Sequence, residues 1–452
     1  MSLRAFLKKM EDQFEVTHVT DRISPRFEVS SVLKALQDGP IVFFENVEGY
    51  DTKIVGNICG TRNRICAALD TRPERLYGKL LNALSHPILP KTVSDGPVKE
   101  VQEEPRLSKI PVLTHFERDA GVYLTSAVIS ARSGDGSIEN VSTHRLLVLD
   151  NRHLAIRLVP RHLFRLWSMA KEEKRDLDVA IAVGVHPAVS LAAASSPPFG
   201  VSEYGVANTL LNGALQIVRC EKVDVYVPAE AELVLEGRIS FKEEVMEGPL
   251  VDITGTYDIQ RMQPVVEVVN IMHRNDYIYQ ALLPGGLEHR LLMGISREAS
   301  IYEAVSKVVP QVKAVNLSSG GCGWLHAVVS IDKQTDGDAK NALLAAFAAH
   351  PSLKHAVVVD SDIDVFNPEE VEWAMALRFQ ADEDLIIIPK ARGSTLDPSG
   401  DQEQGLTTKM GIDATRPLAV AKEKFEKAKV PVTKRAARII GKTGIVPRSS
   451  HR

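Results

Sequence analysis

Three separated side chains, Asn140, His162 and Glu203, offer an amide oxygen, an imidazole and a carboxylate. A hard divalent cation such as magnesium or manganese accepts such a set and keeps waters or phosphate oxygens in its other positions. Spacing does not force the three together: a turn asparagine, a histidine near a helix start and a solvated loop glutamate are the plainer account. The run Asn140-Val141-Ser142-Thr143-His144-Arg145 lies between a glycine-containing turn, Ser133-Gly134-Asp135-Gly136, and an apolar stretch. Its polar groups can therefore face a phosphate while Arg145 enters a cleft. An arginine buried there needs a partner, and a substrate carboxylate gripped by two hydrogen bonds is one. A surface arginine at a strand start is the alternative.

Two further segments concentrate titratable groups. Glu247-Gly248-Pro249-Leu250-Val251-Asp252 sets two carboxylates around a Gly-Pro turn that can fold back and bring them to one place. Paired acids whose pKa values split can serve as a proton donor and its partner; two solvated turn acids are the alternative. Leu283-Pro284-Gly285-Gly286-Leu287-Glu288-His289-Arg290, with Arg297 soon after, holds an acid, a histidine and two arginines, although Glu288 can equally be a helix-start acid. Other chemistries find less support. Ser318-Ser319-Gly320-Gly321-Cys322-Gly323 lacks the Gly-Lys-Ser/Thr of a phosphate-binding loop, no G-x-S-x-G marks a serine nucleophile, and Asp360-Ser361-Asp362-Ile363-Asp364 has Val365 and Val371 where a calcium loop needs Gly and Glu.

The elements that must position these groups fall into three stretches. Residues 1–110 read as mixed α/β: a helical period in Leu3, Phe6, Leu7 and Met10, a buried strand over 41–44, a second over 53–56, and helices over 62–70 and 74–84. The polar, proline-punctuated run 88–111 reads as an extended crossing. Residues 111–298 carry short β-branched runs, with a helix over 160–172, as in a barrel or sandwich. Residues 299–452 alternate helices (299–308, 338–349, 369–379) with strands (312–317, 325–331, 356–360, 385–388), which argues for a separate α/β domain. A long irregular loop then runs to Thr408. A helix is expected within 421–438, better suited to packing on a neighbouring subunit than to nucleic acid, and a frayed end at 448–452.

With 452 residues, 44% hydrophobic and 25% charged, the chain is an ordinary globular one. Its 54 basic against 58 acidic residues leave no basic excess for nucleic acid. The four cysteines form no C-x-x-C pair. No stretch approaches the ~20 apolar residues of a membrane span, and the charged start is unlike a signal peptide; a soluble cytoplasmic protein is expected.

Taken together, the motifs resemble those of the UbiD family of decarboxylases, which use prenylated FMN. Asn140 to Arg145 resembles the family segment from a metal-binding Asn to the substrate-binding Arg. Pro160-Arg161-His162 is similar to its P-x-H segment, and Pro198-Phe199-Gly200-Val201-Ser202-Glu203 to the loop ending in its metal-binding glutamate. Val227-Pro228-Ala229-Glu230 with Val234-Leu235-Glu236-Gly237 resembles another family stretch, and 247–252 resembles E-G-P-[FY]-G-[ED], departing at Leu250 and Val251. Lys409-Met410-Gly411-Ile412-Asp413-Ala414-Thr415 resembles a C-terminal family segment.

The resemblance implies an α/β and α+β multidomain fold: a central flavin-reductase-like split β-barrel between an N-terminal α/β region and a C-terminal α/β domain with an oligomerisation tail helix. It implies prenylated FMN held through Mn2+ or Mg2+ with K+ nearby, a flavin prenyltransferase as cofactor supplier, and a homodimer or homohexamer. The metal ligands would be Asn140, His162 and Glu203. The cofactor would be held by 140–145, Arg161, His162, Glu203 and Lys409, and Arg145, Glu247 and Asp252 would form the catalytic network, with Asp252 as proton donor. His289 and Arg297 are similar to the pair that meets the distal carboxylate in members acting on furan-2,5-dicarboxylate. The expected substrate is therefore an unsaturated or heteroaromatic acid with a second anionic group, furan-2,5-dicarboxylate foremost. A phosphorylated anhydromevalonate or a 4-hydroxybenzoate-type acid is the alternative, and from other classes an FMN oxidoreductase or a non-catalytic flavin-binding protein.

Overall fold

The computed structural model of the chain describes residues 1–428 and 430–442. Its first helix, Leu3–Glu11, starts at Ser2, whose hydroxyl accepts the Ala5 N–H, and buries Leu3, Phe6, Leu7 and Met10, the spacing of one helix face. The apolar run Ile41–Phe44 is a strand buried along its whole length. It lies between Val16–Val19, in parallel, and Ile54–Gly56, in antiparallel register. The fourth strand of this sheet, Tyr279–Gln280, comes from far downstream and pairs in parallel with Ile54–Gly56.

The crossing 88–111 is extended, as expected, but it is stitched into its surroundings rather than detached. Lys91–Val93 pairs with Gln216–Arg219, and Val101–Glu103 adds to the edge of Arg261–His273. The central sheet has nine strands among the described residues, ordered Tyr123–Leu124, Leu146–Val148, His153–Ile156, Arg261–His273, Leu233–Glu247, Leu177–Val183, Val128–Arg132 and Glu139–Thr143, with Val101–Glu103 beside the fourth. It curls into a half-barrel, in keeping with the expected split barrel. Its longest pair, Leu233–Glu247 and Arg261–His273, slips register at Glu236/Gly237 and again between Ile239 and Glu244, irregularities that bend a strand. At the first slip a side chain on Gly237 would lie 2.7 Å from the Glu267 carbonyl oxygen, so glycine lets the two strands close.

Two helices inside the barrel region were not anticipated. Pro187–Ser195 is buried at every position, and a helix apolar all round shows no 3.6-residue alternation of polar and apolar positions. Glu203–Leu210 is short and also almost wholly buried; its start is fixed by the Ser202 side chain, which accepts the Gly205 N–H.

The C-terminal sheet runs Val312–Leu317, His326–Ile331, His355–Asp360, Leu406–Ala414, Leu385–Arg392. Alternate residues of its strands point to opposite faces. Ala327, Val329, Ala356 and Val358 pack with Ala339, Leu343 and Phe347 of helix Asp338–Ala349. Val328, Val357 and Val359 pack with Val371 and Ala374 of helix Pro368–Arg378. Burial on both faces explains why these strands read as unbroken apolar runs.

Three expectations need correction here. The helix expected over 299–308 begins at Leu287 and continues to Ser306, so the expected boundary between 298 and 299 falls inside it. Polar His289, Arg290 and Arg297 on its first half hid the period. The irregular loop expected up to Thr408 is shorter, because Leu385–Arg392 and Leu406–Ala414 form an antiparallel pair. The tail holds a short 3-10 turn, Lys422–Phe425, and a helix Lys434–Lys442 in place of one helix within 421–438. The end 448–452 lies outside the described residues. Among the described residues no helix is long and apolar enough to cross a membrane.

Candidate active site

The edge strand Glu139–Thr143 and the starts of helices His162–Glu172 and Glu203–Leu210 converge. The buried Glu203 carboxylate accepts the Asn140 side-chain amide at 3.0 Å and the Val141 N–H at 2.8 Å, and His162 Nδ1 stands 3.8 Å from Glu203 Oε1. Asn140 Oδ1 accepts the Ser142 hydroxyl at 3.1 Å, and that hydroxyl also meets His144 Nε2 at 2.9 Å. Asn140, His162 and Glu203, scattered over the sequence, thus form one oxygen-and-imidazole cluster. His144 is held from its other side by the Arg157 carbonyl at 2.9 Å, and burial, followed by the charges of Arg157 and Arg161, pulls its pKa down to about 4.

Arg145 follows the same strand and turns into the half-barrel. Its Nε and Nη2 form a fork on Glu247, at 3.0 and 2.9 Å, and its Nη1 donates to Asp252 Oδ2 at 3.0 Å. A further Nη2 contact reaches Asp258 Oδ2 at 3.2 Å. Four of the five guanidinium N–H groups are engaged in this way, which leaves one on Nη1. Burial alone would lower the Arg145 pKa, but Glu247, Asp252 and Asp258 outweigh it and raise it. Of the three acids, the Glu247 and Asp258 side chains are 0% exposed and Asp252 is 20% exposed, so Asp252 alone opens outward.

Helix Leu287–Ser306 supplies the next groups. Glu288 accepts the Cys59 N–H at 2.8 Å, and burial pushes its pKa up to about 7 against the pull of that N–H and of Arg64. His289 Nδ1 accepts the Gly285 N–H at 3.1 Å, so a neutral ring carries its proton on Nε2. Burial lowers the His289 pKa; the charge of Asp252 opposes this, and those of Arg290 and Arg145 add to it. His289 therefore lies within electrostatic reach of the Arg145–Asp252 pair.

Arg297, two turns on, belongs to a different group. Burial, with the charge of Arg161, pulls its pKa down to about 10, and burial, followed by the charges of Arg297, Lys409 and Arg161, takes His350 down to about 3. The buried Arg297 Nε has no hydrogen-bond partner. Lys409 donates to the carbonyls of Pro351, at 2.7 Å, and Leu353, and burial lowers its pKa to about 8. His289 and Arg297, read as one pair from the sequence, thus sit in two electrostatic settings, one beside acids and one among cations.

Comparison with known proteins gives these groups a context. Three family models match in succession: the N-terminal domain of 3-octaprenyl-4-hydroxybenzoate carboxy-lyase at 7–84, its Rift-related domain at 91–287 and its C-terminal domain at 290–414. The chain belongs to the UbiD family. It is a carboxy-lyase of that family. A UbiD relative, the anhydromevalonate phosphate decarboxylase of Methanothermobacter thermautotrophicus, is 45% identical over 94% of this chain and 99% of its own. The UbiD-class enzyme HmfF from Pelotomaculum thermopropionicum, solved with FMN, is 41% identical, with a TM-score of 0.93 over 96% of this chain and 98% of its own. An evolved dimeric form of it, solved with prFMN, is 38% identical, with a TM-score of 0.89 over 95% and 97%.

The UbiD motifs led to Asn140, Arg145, His162, Glu203, Glu247 and Asp252, but not to two of their neighbours. Tyr123 donates its hydroxyl to Glu247 Oε1 at 3.1 Å and accepts the Gly248 N–H at 3.2 Å. Asp258 is shared by Arg145, by Arg157 at 3.4 Å and by Arg261 at 2.7 Å, and these arginines lower its pKa against burial. The only sequence signal for it was a third acid shortly after the Glu247–Asp252 turn.

Proposed function

We propose that this chain decarboxylates an unsaturated carboxylic acid bearing a second anionic group, with prenylated FMN and a divalent metal, and that a phosphorylated anhydromevalonate is the first candidate substrate. The observation that carries the chemistry is Arg145 held between Glu247 and Asp252 with one N–H to spare. That N–H is free to meet one oxygen of a substrate carboxylate. When the substrate takes the place of Asp252 on Nη1, Asp252 is released on the open side of the cluster, where its carboxyl can carry a proton.

Prenylated FMN, when bound, supplies the sink for the electron pair left by departing CO2, which no side chain offers. The residues present fit such a group. A polyanion suits the buried bases Arg161 and Lys409, each lowered in pKa by burial. Asn140, His162 and Glu203 would hold Mn2+ or Mg2+ as oxygen and imidazole donors, with K+ as an accompanying ion. Segment 140–145, with Arg161 and Lys409, would complete the cofactor site. Arg145 orients the scissile carboxylate, Glu247 holds Arg145 in place, and Asp252 Oδ2 delivers the proton to the carbon that loses CO2.

The order of substrates departs from the sequence expectation, in which furan-2,5-dicarboxylate stood first. Support for the phosphorylated acid comes from the 45% identical relative and from the cationic setting of Arg297. The dicarboxylate remains the second reading, favoured by His289 beside Arg145 and Asp252. The test is CO2 release by protein co-expressed with a flavin prenyltransferase, offered each acid in turn. Turnover of the phosphorylated acid is expected, and in Arg297→Met its KM rises about tenfold or more, the scale of one lost charge-assisted hydrogen bond, with flavin absorbance retained. Release from the dicarboxylate and none from the phosphorylated acid would overturn the assignment.

A further inference from the structure

The Asp252 carboxyl is held from two directions. Oδ2 accepts from Arg145, and Oδ1 accepts the N–H of the next residue, Ile253, at 2.6 Å. The orientation of the Ile253 backbone therefore bears directly on where the acid points. The carbonyl of Ile253 accepts Arg290 Nε at 3.4 Å. The same guanidinium donates through Nη1 to the Ser319 carbonyl at 3.1 Å, in the loop that follows the first strand of the C-terminal sheet.

Packing at this junction is close. The turn itself is shut by Gly255 N–H to the Asp252 carbonyl at 2.8 Å and Asp252 N–H to the Thr256 carbonyl at 3.1 Å. A side chain on Gly285, at the start of helix Leu287–Ser306, would come within 2.8 Å of the Asp252 carbonyl oxygen. One on Gly323, whose φ is +62°, would come within 2.8 Å of Arg290 Cβ. From the same loop Cys322 Sγ reaches the Thr254 carbonyl at 3.5 Å. Among the described residues no carboxylate forms an ion pair with Arg290, so its donors serve these backbone carbonyls.

We infer that Arg290 is a positioning residue for the proton-donating acid, tying the Asp252–Thr256 turn to the 318–323 loop so that the carboxyl is correctly placed only when that loop is docked. The inference rests on the reading of Asp252 as proton donor. Its planar fork reaches two carbonyls from one side chain, which a lysine ammonium, a single point, does not reproduce.

The experiment compares Arg290→Met, Arg290→Lys and Asp252→Asn in the flavin-loaded full chain, following steady-state kinetics and amide hydrogen exchange. Arg290→Met should lose about 10²-fold in kcat, the scale of an ångström-sized misplacement, with KM and flavin absorbance near wild type. Arg290→Lys should recover part of that loss. Exchange should accelerate at 252–257 and stay unchanged at 140–145. Wild-type exchange at 252–257 in Arg290→Met, with Asp252→Asn inactive, would overturn the proposal alone. Full turnover in Asp252→Asn would overturn the reading of the acid and the proposal with it, and a kcat loss matched by lost flavin would reduce Arg290 to a structural role.

Discussion

Asp258 lies beneath the arginine it helps to hold. With Glu247 and Asp252 it sets three carboxylates against Arg145, Arg157 and Arg261, so the buried charges balance in number. Asp258→Asn removes one of the negative charges and loosens Arg145 on one side. We expect kcat to fall about tenfold or more from the misaligned fork, while flavin absorbance is kept; steady-state kinetics and the flavin spectrum check both. The six residues read from the sequence each stand inside a short recognisable string, which is why they were legible. Asp258 and Tyr123 were not, because what makes them part of the cluster is a hydrogen bond to a residue more than a hundred positions away, and no local pattern encodes that.

Helix Leu287–Ser306 ties the three parts of the chain together. Near its start Glu288 takes the Cys59 N–H of the N-terminal part, Arg290 meets the Asp252–Thr256 turn, and Glu298 on a later turn is a buried hub. Glu298 accepts Arg62 Nη2 at 2.6 Å, the Tyr77 hydroxyl at 3.1 Å and the Leu317 N–H at 2.9 Å. Glu298→Ala leaves Arg62 and Tyr77 without that partner and should cost about 3–5 kcal/mol, as for a broken buried ion pair; urea denaturation measures it. Strands buried on both faces over four or more residues were legible at Ile41–Phe44 and His355–Asp360. The start of this helix was not, since Pro284-Gly285-Gly286 reads as a turn and the polar residues that follow serve the site rather than an amphipathic pattern.

At the scale of the whole molecule, Glu288 gives stability a pH dependence. Its folded pKa of about 7 lies above the ordinary 4.5, so the native state keeps a proton that the unfolded chain has released. Stability then falls as pH rises from about 4.5 to about 7, and the loss is complete above the folded value. Urea midpoints at about pH 5 and about pH 8 should drop more in wild type than in Glu288→Gln, and equal drops would exclude this carboxyl as the source. The shift from short β-branched runs to alternating helices and strands was legible from the change in rhythm of apolar runs. The strand swaps across the molecule were not, because two-residue strands such as Tyr279–Gln280 carry no period at all. That small strand has a consequence for biosynthesis. Ile54–Gly56 has an open edge until Tyr279–Gln280 pairs with it, and an open edge is a template for wrong partners. A chain growing from the ribosome therefore carries its N-terminal sheet with one edge unpaired until most of the barrel has been translated.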